Sequence, residues 1–113
     1  MATFNGSESG PIPLETAKEW TANYRASIKP DDTLAHYFGG DIIRRVLNET
    51  GCVGIRIYYA IDDKGKKQVL VVGTDANGDN LLPAQGAAAK ADDDPIIVDY
   101  SYPCPNYCPS NPL

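Results

Sequence analysis

The chain has 113 residues, 42% hydrophobic and 22% charged, which suits one soluble domain that buries roughly two thirds of its unfolded surface. Its formal net charge is −5, and its ten Lys and Arg are scattered apart from Arg44-Arg45 and Lys64, Lys66 and Lys67, so the concentrated basic face of a nucleic-acid binder is missing. No run approaches the roughly 18 apolar residues of a membrane span, and the first ten residues lack the basic start and apolar core of a signal peptide, which makes the cytoplasm the expected location.

Residues 1–12 are polar and interrupted by Gly6, Gly10 and Pro11, and read as an extended N-terminal arm. Pro13 suits a first helical turn. From there Leu14, Ala17, Trp20 or Thr21, Tyr24 and Ile28 recur at helical spacing up to Lys29-Pro30, with Trp20 expected in the core. Asp31-Asp32-Thr33 could cap a short helical turn through Leu34, Ala35 and Phe38, stopped by Gly39-Gly40. Asp41 then reads as the N-cap of a second helix, 42–50, with Ile42, Ile43, Val46 and Leu47 as its buried stripe and Gly51 as its stop.

The centre of the chain, 52–74, reads as a β-hairpin. Val53, Ile55, Ile57, Tyr59 and Ile61 alternate with Gly54, Arg56, Tyr58 and Ala60, which places the two sets on opposite faces. Asp62 to Gly65 turns the chain, and the apolar run 68–74 returns as a strand covered on both faces. Asn77-Gly78 signals a second tight turn leading into a third strand at 80–82. Residues 84–95 are small and acidic and read as a loop, and Pro95 to Tyr100 has the β-branched content of a short strand. Prolines 103, 105, 109 and 112 keep the tail, 101–113, out of helices and sheet interiors.

Chemistry-bearing residues are few. The three cysteines are an odd count, and without an export signal reduced thiols are the first expectation. Cys104 and Cys108 have C-x-x-x-C spacing. With Cys52 and the sole histidine, His36, they would make a Cys3His set able to hold zinc tetrahedrally; a Cys104–Cys108 disulfide or plain buried thiols are the alternatives. Asp75, Asn77 and Asp79 alternate like calcium ligands, but the Gly and Glu that such a loop needs are misplaced, so an Asx-stabilised turn is the better account. Asp92-Asp93-Asp94 reads as a solvated loop. One histidine, no nucleophile motif and no phosphate loop leave no catalytic signature, although Asp31, Asp32 or His36 could supply an acid or base.

The strings Gly51-Cys-Val-Gly-Ile-Arg-Ile-Tyr58, Val71-Val-Gly-Thr-Asp-Ala-Asn-Gly78 and Cys104-Pro-Asn-Tyr-Cys108 resemble an uncharacterised family of small bacterial proteins, over about residues 14–113. The resemblance implies a shared fold in which hairpin and tail belong together, with 84–95 as an insertion, and it carries over no catalytic residue.

The expected architecture is α+β: one domain, 1–113, with an arm (1–12), a core (13–100) and a Cys/Pro-rich tail (101–113). Two N-terminal helices pack on a small, mainly antiparallel sheet of three to four strands. The expected function is a non-enzymatic interaction or self-assembly module whose partner is itself or another protein, because a small sheet leaves edges to be covered and the tail suits docking. The alternative is a zinc-binding or thiol-based sensor built on Cys52, Cys104 and Cys108.

Overall fold

The computed structural model describes residues 3–84 and 93–113; most of the loop expected over 84–95 lies outside them. Its elements are α1 (Leu14–Ala26), β1 (Ala35–Tyr37), α2 (Gly40–Leu47), β2 (Gly54–Ile61), β3 (Lys67–Thr74), β4 (Asn80–Leu81) and β5 (Tyr102–Cys104). Two helices and two small antiparallel sheets make an α+β protein. Contacts divide the chain into two compact units: Met1–Glu8 with Phe38–Ser101, and Ser9–Tyr37 with Tyr102–Leu113. The hairpin lies in the first and the cysteine–proline tail in the second.

The first unit is built on the hairpin expected at 52–74. β2 and β3 pair antiparallel from Gly54↔Thr74 to Ile61↔Lys67, and β4 joins through Gly73↔Leu81 and Thr74↔Asn80, giving the strand order β2-β3-β4. Both turns use one device, Asp-x-x-Gly-x. Asp62 Oδ1 accepts the N–H groups of Lys64 and Lys66, and Asp75 Oδ1 accepts those of Asn77 and Asp79. Gly65 and Gly78 sit at φ 78° and 84°, the left-handed position that closes a three-residue hairpin loop. Asn77-Gly78 is therefore the end of a three-residue loop, and the Asp75 oxygen, which alternates in sequence like a calcium ligand, caps backbone N–H groups instead.

α2 starts one residue before the expected cap: Gly39 occupies the N-cap, and Asp41 lies in the first turn, ion-paired with Arg44 at 2.7 Å. Of its apolar stripe, Val46 is completely buried and Ile43 partly so, against Val71, Val98, Phe38 and Ile96. Val71 and Val72, on opposite faces of β3, are both buried, as a strand covered on both sides requires. The strand expected at 95–100 reduces to one bridge, Val71↔Val98, whose two N–H···O bonds are 3.1 and 2.9 Å long.

The second unit departs further from expectation. α1 forms where the periodicity places it, but it buries no residue, and Trp20 is 59% exposed. Trp20 is not a core residue: the apolar residues Leu14, Trp20 and Tyr24 that recur along α1 are all exposed, so the periodicity marks a shared side that no described residue buries. The helical turn expected after Asp31 is replaced by β1, which pairs antiparallel with β5 from Ala35↔Cys104 to Tyr37↔Tyr102. The Leu34 N–H donates to the Cys104 carbonyl at 2.7 Å, so a partner remote in sequence overrides the local capping signal. Pro103 is tolerated because a two-stranded ribbon consists only of edges. The rings of Tyr37 and Tyr107 flank Tyr102 at centroid distances of 6.0 and 4.7 Å.

Candidate functional site

Three groupings carry the chemistry-bearing residues: the Cys/His set read from the sequence, a buried carboxyl beside Cys52, and the outer edge of β2. Cys104 and Cys108 form a disulfide with Cα atoms 4.6 Å apart, and Cys52 is a free thiol. His36 is half-buried in β1, opposite Pro103, where burial lowers its pKa and favours the neutral ring. Cys104, Cys108 and His36 thus belong to the second unit and Cys52 to the first. In the disulfide form two of the four sequence-derived ligands are not thiolates. Among the described residues, no group of three or more His, Cys, Asp or Glu is placed to hold a metal ion.

Glu49 carries no signal in the sequence, and it is the most buried ionisable side chain among the described residues, 3% exposed. It follows α2, where its N–H donates to the Val46 carbonyl and its own carbonyl accepts the Cys52 N–H. Its Oε2 accepts the Ile96 N–H at 3.0 Å, whereas Oε1 has no hydrogen-bond partner. Oε1 and the Cys52 Sγ approach one point on β3: they lie 2.6 and 3.1 Å from where a Cβ on Gly73 would stand. Gly73 is therefore required by crowding, since only a residue without Cβ leaves room for the carboxyl. The Cys52 thiol is occupied as a donor to the Gly54 carbonyl at 3.2 Å. This arrangement ties 93–98 to the end of α2, with help from Thr50 Oγ1 donating to Asp93 Oδ2 and Arg45 donating to the Asp94 carbonyl.

Burial pushes the Glu49 carboxyl above its ordinary pKa; the Ile96 N–H and Arg45 pull the other way with smaller effect. The folded state therefore keeps this proton at pH values where the unfolded chain has released it, and Glu49 makes stability fall as pH rises above the ordinary carboxylate range. Glu49→Gln keeps an acceptor for Ile96 and removes the charge. Urea titrations between about pH 4 and pH 7 should show a flatter dependence for this variant than for the parent. Parallel curves would rule the effect out.

The β2 edge has a different character. The Asp62 N–H donates to the Lys66 carbonyl, which makes Asp62↔Lys66 a hydrogen-bonded pair of the ladder. By antiparallel alternation Ala60, Tyr58, Arg56 and Gly54 direct their N–H and C=O groups toward β3. Those of Ile55, Ile57, Tyr59 and Ile61 point to the opposite side, where no described strand lies. The same four side chains are 40%, 54%, 93% and 74% exposed. Val53, the fifth of the alternating set, is half-buried, its N–H donating to the Thr74 carbonyl. The alternation named the shared face, but this face is bare rather than buried along β2: Val71 packs against Val46 of α2, whereas Ile57, Tyr59 and Ile61 stay exposed. On the other face Arg56 donates to the Gly78 carbonyl and Asn80 Oδ1, and Asn80 donates to the Tyr58 hydroxyl, which ties that side to the β4 turn.

No protein-family model matches the chain, and no curated protein or solved structure is significantly similar to it. Among the described residues no helix is long and apolar enough to cross a membrane.

Proposed function

We propose that the chain is a non-enzymatic interaction module that takes an extended protein segment onto the outer edge of β2. One observation carries this reading: the edge combines unpaired backbone groups with a bare row of Ile55, Ile57, Tyr59 and Ile61. Sheet proteins blunt such edges with lysine, proline, a bulge or a cover. β2 has neither Lys nor Pro, and its one charge, Arg56, is engaged on the other face. Strand addition suits such an edge, the backbone supplying affinity and alternate side chains supplying selectivity. A protein fits better than a nucleic acid, given the net charge of −5 and the scattered basic residues.

The test is amide exchange with a probe, an eight-residue peptide alternating threonine and valine between terminal lysines. Protection should appear at Ile55, Ile57, Tyr59 and Ile61 and leave Tyr58 and Ala60, already paired with β3, unchanged. No protection at millimolar peptide would end the reading.

The Cys104–Cys108 disulfide favours a second reading, a thiol-based sensor. It joins the end of β5 to the tail in a unit where Cys104 is the one buried hydrophobic residue among those described, so opening it would change that unit's state.

A further inference from the structure

We propose that the segment received by β2 is β2 of a second copy, paired antiparallel across a two-fold axis, with Ile57 opposite Tyr59 and Ile55 opposite Ile61 of the other chain. The inference rests on the strand-addition reading above and names its occupant. A two-fold axis perpendicular to the sheet keeps both apolar rows on one side and pairs odd-numbered residues with odd-numbered ones. The outward backbone groups belong to Ile55, Ile57, Tyr59 and Ile61. Antiparallel hydrogen-bonded pairs must therefore be drawn from these four.

Only the register centred on Tyr58 matches all four to one another. Centring on Ile57 draws in Val53, whose N–H already donates to the Thr74 carbonyl, and centring on Tyr59 places Ile55 against Asp63 in the hairpin turn. In the Tyr58 register each apolar side chain of the row stands beside another, and the two three-stranded sheets become one of six strands.

The area agrees with a weak but specific dimer. Taking about 200 Å² for a fully exposed side chain of this size, the observed exposures leave on the order of 500 Å² of bare apolar surface per copy. Covering about half of each row, with a similar contribution from the strand backbones, buries roughly 1,000 Å² in total, the lower limit for specific interfaces. Interfaces at this limit belong to weak, transient pairs, so dimers should form as concentration rises. The charge of −5 on each copy repels its partner, so added salt should tighten the pair.

The experiment is sedimentation equilibrium of the full chain from micromolar to millimolar concentration, for the parent and for Tyr59→Pro. The Tyr59 N–H is not used in the β2–β3 ladder and the side chain is 93% exposed. Proline there spares the hairpin but removes a donor from the pair. The parent should be a concentration-dependent dimer, and Tyr59→Pro should weaken association at least tenfold while retaining its circular dichroism and melting temperature. Register is read by oxidative cross-linking in a Cys52→Ser background. Tyr58→Cys should link to itself efficiently, whereas Ile57→Cys and Tyr59→Cys, each adjacent to the axis rather than on it, should not. Monomers throughout, a dimer unaffected by Tyr59→Pro, or self-linking at 57 or 59 in place of 58 overturns the proposal. If the chain stays monomeric yet protects its odd-numbered β2 amides with the probe peptide, the occupant is wrong and strand addition stands. If neither occurs, both fail.

Discussion

Gly73→Val is expected to lower the unfolding free energy of the sheet-containing unit by about 2–6 kcal/mol. A Cβ at residue 73 would stand 2.6 Å from Glu49 Oε1, 3.1 Å from Cys52 Sγ and 3.4 Å from Leu81 Cδ1. The first of these atoms cannot yield cheaply, because Glu49 is 3% exposed and its other oxygen accepts the Ile96 N–H. Moving the carboxyl leaves that N–H without its acceptor, at a cost of about 1–3 kcal/mol, and loosens the segment that delivers Val98 to Val71 and Val46. Overpacking adds about 1–3 kcal/mol more. Against a usual total of roughly 5–15 kcal/mol, the variant should show a much lower urea midpoint. Gly54→Ala is the matched control: nothing lies within 4 Å of its added Cβ and its φ is not left-handed, so its midpoint should stay close to the parent's. A Gly73→Val protein within about 1 kcal/mol of the parent would refute the crowding argument.

Gly73 also marks where the sequence stops being informative. The apolar alternation, the Asp62 to Gly65 turn and the Asn77-Gly78 signal are local, and they place the β2–β3 hairpin and β4 nearly to the residue, although the second turn is a three-residue loop. β1 was hidden because its partner, 102–104, is remote in the chain, while Asp31 to Phe38 carries helix-capping residues. A periodic pattern says which side chains share a face; it does not say what covers that face. Ile57, Tyr59 and Ile61 were therefore assigned correctly to one side of β2 without any sign that it would be bare. Trp20 misled in the same way, since its size argued for burial and its surroundings supply none. Glu49 looked like an ordinary residue at a helix end, and its burial depends on Gly73 and Ile96, which lie in two other segments. For the cysteines, spacing left zinc, disulfide and free thiols open, and only the positions of the sulfurs distinguish among them.

Removing the Cys104–Cys108 bond is the other change expected to have a large effect, confined to the second unit. That unit has a ribbon of three residue pairs, a helix with no buried residue, and Cys104 as its only buried hydrophobic residue among those described. Among the links between its described residues, Tyr24 Oη donates to the Thr33 carbonyl, Arg25 donates to the Leu113 carbonyl, and the Tyr107 N–H donates to the Pro103 carbonyl. A two-stranded ribbon is marginal in water on its own, and assemblies this small generally depend on a covalent staple. Opening a loop with a sequence separation of 4 forfeits about 2 kcal/mol on the chain-entropy account. Cys104→Ser/Cys108→Ser should therefore lose the β1–β5 pairing while the β2–β3–β4 sheet keeps its amide protection. The Leu34 amide is the sharpest reporter, because its bond to the Cys104 carbonyl exists only while the ribbon does; it should change from slow to fast exchange, and the near-ultraviolet signal of Tyr37, Tyr102 and Tyr107 should collapse with it. A mild reductant should reproduce both changes in the parent, and Cys52→Ser should reproduce neither, because that thiol belongs to the other unit. Retention of slow exchange at Leu34 in the double serine variant would show that the ribbon stands without its staple, and the sensor reading would lose its physical basis.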